Sequence, residues 1–111
     1  MPEPNDNVAA TRERFEEMFG TIAAAMKTAA KEADSSIASS EAERLGFIEE
    51  APSKPIGTAW RTTENGLTLW FQSRYYDQSK AFSIQKDMNI LSLELREGGR
   101  ILREAQESFE D

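Results

Sequence analysis

Trp70, Gln72, Arg74 and Tyr76 stand two residues apart in a run of aromatic and β-branched residues, and Arg61 stands on the far side of an Asn65-Gly66 pair. In a strand, residues two apart share a face, so this spacing gathers flat rings and guanidinium groups on one surface. That surface suits the binding of unpaired nucleic acid, because cations track phosphates while bases stack on rings at about 1–3 kcal/mol each. Lys80 and Lys86 continue the basic character. A plainer role for the same residues is structural: Trp70 covers a helix, with Arg61 over its ring in a cation–π contact worth about 0.5–1 kcal/mol when exposed.

Other chemistry is narrowed by what the chain lacks. With no cysteine and no histidine, it has no thiolate, no imidazole base and no Ser-His triad. Glu16-Glu17, Glu41 with Glu43, and Glu49-Glu50 could be read as acid/base pairs, but adjacent residues on a helix do not face one another. They read as solvated surface. No glycine-rich phosphate loop, metal-ligand spacing or nucleophile elbow is present, so the expected protein is not an enzyme and holds no metal or cofactor.

The net charge is −7, from 13 basic and 20 acidic residues, and only residues 54–92 are net basic. That weighs against tight nonspecific binding to duplex DNA but allows a local basic patch. No apolar run approaches the roughly 20 residues of a membrane span, and Met1-Pro2-Glu3-Pro4 lacks the pattern of a signal peptide. The expected location is cytoplasmic, without membrane contact.

The elements that would position these residues follow from spacing. Residues 1–6 read as a disordered tail, and residues 7–51 as an acidic helical segment. Its long helix runs to about Ala33, with Phe15, Met18, Phe19, Ile22, Met26 and Ala29 on one stripe. Phe15, Phe19, Ile22 and Met26 are the candidate dimerisation residues, because a chain of this size struggles to cover every apolar face; the same stripe can instead pack on the sheet. Ser40-Glu41-Ala42-Glu43 has capping-box form and predicts a second helix from Glu41 to Glu50. Residues 52–55 are a proline-bounded linker into residues 56–111.

Asn65-Gly66 between two strand-like runs is a strong hairpin signal. It sets Trp60 opposite Phe71 and Thr62 opposite Leu69 on a core face shared with Ile56 and Tyr75, and sets Arg61 opposite Trp70 on the other. Lys80–Gln85 alternates as a third strand. Ile90–Leu93 suits a short fourth strand, although a helix from Asp87 also fits. From Glu94 a helix is expected, carrying Leu95, Leu102, Ala105 and Phe109 on one face and Arg96, Arg100 and Arg103 beside it. The expected fold is thus α+β: a long and a short helix, a three- to four-stranded antiparallel meander, and a C-terminal helix.

The run Leu67-Thr-Leu-Trp-Phe-Gln-Ser-Arg-Tyr-Tyr-Asp77, with Leu91-Ser-Leu-Glu-Leu-Arg-Glu further on, resembles the positive cofactor four family of single-stranded-DNA-binding transcriptional coactivators across residues 56–109. The resemblance implies a curved sheet packed on a C-terminal helix, dimerisation through that helix, and single strands held on the sheet by residues such as Arg74, Tyr75 and Tyr76. Gly98, the weakly basic Lys86-Asp87-Met88 and the long N-terminal helix depart from the family pattern.

Two functions emerge. One is single-stranded DNA or RNA binding by a homodimer, through Arg61, Trp70, Gln72, Arg74, Tyr76, Lys80 and Lys86, as a transcription or replication accessory factor. The other is a small acidic adaptor or inhibitor, of the phage or plasmid anti-defence type, binding a protein through the same aromatics.

Overall fold

The computed structural model describes residues 4–50, 57–76 and 88–110. In chain order these form α1 (Pro4–Glu32), α2 (Ser36–Arg44), β1 (Ile48–Glu50), β2 (Gly57–Glu64), β3 (Leu67–Tyr76), β4 (Met88–Glu97) and β5 (Arg100–Glu110). The strands make one antiparallel sheet in sequence order, β1-β2-β3-β4-β5.

Asn65-Gly66 turns β2 into β3 with both residues at positive φ, +51° and +80°. That is the backbone sense a two-residue type I′ turn requires. The resulting register pairs Trp60 with Phe71, Thr62 with Leu69 and Arg61 with Trp70, as the sequence predicts. Trp60, Leu67, Leu69 and Phe71 are buried on one face, where Leu91, Leu93 and Leu95 of β4 join them. Trp60 and Phe71 meet with ring centroids 5.3 Å apart.

Helix α1 supplies the other half of this core. Phe15, Phe19, Ile22, Met26 and Ala29 recur at three- and four-residue steps and are at most 2% exposed. Burying side chains of this size stabilises the fold by about 1.5–3 kcal/mol each. The stripe singled out for dimerisation therefore packs on the sheet of its own chain, and its residues present no surface to a second one.

Beyond the hairpin several expectations are corrected. Among the described residues there is no C-terminal helix, and the sheet has five strands rather than three or four. Residues 94–97 extend β4, Gly98-Gly99 makes a two-residue turn with Gly98 at φ +58°, and Arg100–Glu110 returns as β5. Leu, Arg, Glu, Ala and Gln all favour helix locally, but the open edge of β4 carries backbone groups that need partners. Strand β5 satisfies them and brings Phe109 into the core. The Gly98 N–H also donates to the Gly66 carbonyl at 3.2 Å, tying the two turns together. The helix implied by the family resemblance is thus a strand.

The second helix also moves. It starts at Ser36, not Glu41, and residues 48–50 are strand β1. Its N-cap is Ser35 rather than Ser40 and makes no side-chain cap bond; just before it, Asp34 Oδ1 accepts from the Ser36 N–H at 3.0 Å and from the Ser36 Oγ at 2.6 Å. Helix α1 begins at Pro4, so residues 4–6 of the expected tail are helical, and residues 1–3 lie outside the described residues. The expected linker 52–55, Ile56, and the expected third strand with Lys80 and Lys86 lie outside the described residues.

Candidate binding face

A five-stranded sheet with helices on one side leaves its other side as the natural place for function. No described element packs on that outer face. Alternation assigns it Ala59, Arg61 and Thr63 from β2, Thr68, Trp70, Gln72 and Arg74 from β3, and Ile90, Ser92, Glu94 and Arg96 from β4. Tyr76 is on β3 in the same phase. The pattern brings Arg61, Trp70, Gln72 and Arg74 together on one surface, as their spacing predicts.

The neighbours of these residues change their chemistry. One level of the sheet reads Ile48, Arg61, Trp70, Glu94, Glu104 across all five strands. The central indole is only half-buried. Arg61 does not lie over it: the guanidinium turns to the Glu50 carboxylate of β1 in an ion pair. On the other side Glu94 accepts from Arg96 through Nε at 2.9 Å and through the terminal nitrogen at 2.6 Å. Both pairs are partly solvated, so each contributes about 1 kcal/mol or less. What they do is neutralise charge in place. Arg74 is exposed and pairs with no described carboxylate.

The charge across the face is therefore mixed. Arg61 and Arg74 of β2 and β3 and Arg96 of β4 share the face with Glu50 of β1, Glu94 of β4 and Glu104 and Glu110 of β5, with Trp70 and Ile90 along the middle. Glu94 and Glu104 are directly opposed, and the Arg96 guanidinium on Glu94 offsets the like-charge repulsion between them. Apolar groups also reach solvent at the sheet's margins: Ile48 is 72% exposed and Ile101 45%. Beside β1, a shallow depression of about 280 Å³ is lined by Ile48, Glu50, Arg61, Thr62 and Thr63.

Ile48, Glu50, Glu104 and Ile101 were not among the sequence candidates because they sit on β1 and β5, strands the sequence was expected to fold as helices. One signal pointed to them: the alternation of Leu91, Leu93 and Leu95 runs past Glu94 without a break. Among the described residues no group of acidic side chains is placed to hold a metal ion, and no helix is long and apolar enough to cross a membrane. No family model, curated protein or solved structure matches the chain.

Proposed function

We propose that the chain is a non-enzymatic protein-binding module whose open sheet face receives a segment of another protein, with Trp70 as the anchor. The observation that carries this is the level Ile48, Arg61, Trp70, Glu94, Glu104, in which an exposed-edged indole is bracketed by charges of opposite sign. A single strand of nucleic acid presents a uniform row of negative phosphates, which the carboxylates of Glu94 and Glu104 beside Trp70 disfavour. A protein segment can match both signs. The fitting partner has an apolar side chain for the seam between Trp70 and Ile90, a carboxylate toward Arg74, and a lysine or arginine toward Glu94 and Glu104. Such complementarity governs specificity and encounter rate, while the aromatic supplies most of the affinity.

Two measurements test it together. A fluorescent single-stranded oligonucleotide titrated at low salt is expected to show no binding; binding that weakens with a steep log–log salt slope would instead establish the nucleic-acid function. A partner protein captured by the wild type is expected to be lost on Trp70→Ala and to weaken on charge reversal by Glu94→Lys, with far-UV circular dichroism unchanged. A partner indifferent to both substitutions would show that this face is not the site.

A further inference from the structure

Among the described residues the β5 edge of the sheet pairs with no further strand. Strand β5 has β4 as its sole described neighbour and runs for 11 residues, whereas the opposite margin is closed by the three-residue β1. Its one register irregularity faces Leu95/Arg96, near its beginning, so Arg103 to Glu110 is regular. A strand edge of that length exposes a row of backbone donors and acceptors, which pairs readily with another strand.

Charged side chains along the edge restrict what that strand can be. Arg100, Arg103 and Glu104 lie before the midpoint of β5 at Ala105, and Glu107 and Glu110 after it. Arbitrary strands are repelled by one half or the other. A strand running antiparallel with the same N-to-C order, basic then acidic, sets opposite charges together, and a second β5 has that order.

We propose that β5 pairs edge to edge with β5 of a second copy of this chain, antiparallel about a two-fold axis at Ala105. This sets Arg103 opposite Glu107 twice, sets Glu104 opposite Gln106 twice, and leaves the small Ala105 at the axis. Opposed residues must share a face, which limits the alternatives. Moving one step one way puts Glu104 opposite itself; moving one step the other way puts Arg103 opposite Phe109. Arg103 already contacts Glu16 and lies over the Phe19 ring at 4.3 Å, but a guanidinium has five N–H donors and can serve two carboxylates.

The helix above the edge supports the same geometry. Glu16, Gly20, Ala23 and Lys27 follow one another at helical spacing on the side of α1 that faces Arg103. A Cβ added at Gly20 would meet nothing within 4 Å, so packing within the chain does not require glycine there. In the paired arrangement that open space lies where the second copy's α1 would approach over a continuous ten-stranded sheet. This pairing uses an edge rather than the outer face and stands independently of the partner-binding function.

Because the chain has no cysteine, Ala105→Cys introduces a sole thiol at the axis. Opposed Cα atoms about 4.5–5.5 Å apart lie within disulfide range. At micromolar concentration, light scattering should give twice the 12.5 kDa chain mass, and mild oxidation should cross-link Ala105→Cys into a covalent dimer. Ser108→Cys is the control, since six residues of offset separate its two copies by about 20 Å, and it should stay uncrosslinked. Arg103→Glu and Glu107→Arg should each weaken self-association at least roughly tenfold, and mixing the two should restore it as a heterodimer with opposite charges facing. Circular dichroism of each variant reports folding. A monomeric wild type, or a dimer in which Ala105→Cys does not cross-link, overturns the proposal.

Discussion

Asn65, at the tip of the β2–β3 hairpin, donates from its side-chain nitrogen to Thr11 Oγ1 of α1 at 2.7 Å. Thr11 is the buried polar residue of the helix, 3% exposed. The residue that accommodates a positive-φ turn thus also fastens that turn to the helix, beside the Arg14–Glu64 ion pair. Asn65→Gly keeps the turn geometry but removes the bond, and should cost about 1 kcal/mol in chemical denaturation. Thr11→Val should cost a similar amount. In a double-mutant cycle the two losses should not add; additive losses would show that the bond contributes nothing.

The two faces of β3 should respond differently to truncation. Phe71 is fully buried between Trp60, Leu69 and the helix stripe, so Phe71→Ala should destabilise by about 3–5 kcal/mol. Trp70→Ala, on the outer face, should cost about 1 kcal/mol or less. Urea midpoints at constant slope measure the contrast. Equal losses would place the indole in a core.

Glycine has opposite meanings at two positions. Gly98 holds φ +58° at the β4–β5 turn, and Gly98→Val should destabilise by more than about 1 kcal/mol because a β-branched residue resists that conformation. Gly20 lies in mid-helix with open space where a side chain would go. Gly20→Ala should raise the stability of the isolated chain by about 0.5–1 kcal/mol. Thermal unfolding of the two variants should therefore shift in opposite directions.

Acid should loosen the start of α2 before the core. The Ser36 hydroxyl, and then the Ser36 backbone N–H, hold the Asp34 carboxyl below its ordinary value of 3.8. A depressed carboxyl favours the folded state above its ordinary value, and that contribution is lost as the pH falls through the lower folded value. Hydrogen exchange at Ser36 and Ile37 should accelerate at pH values below 3.8. In Asp34→Asn, which retains an acceptor but does not titrate, that acid dependence should disappear.

Local chemistry was enough to specify the β2–β3 hairpin and the two-sidedness of β3, because Asn65-Gly66 leaves few turn geometries and each residue of a paired strand then has a set face. It was also enough for the apolar stripe of α1, whose repeat matches the helical period. What covers that stripe depended on the rest of the chain, since Phe15, Phe19, Ile22 and Met26 would bury themselves equally well against a sheet or another helix. Residues 94–110 were decided by tertiary structure alone. Their side chains favour helix, but Gly98-Gly99 permits a tight reversal, the edge of β4 needs backbone partners, and β5 carries Phe109 into the core. That outcome also decided the binding face: Glu104 stands on the same surface as Trp70 because β5 is a strand, and a basic patch in the sequence becomes a surface of both signs.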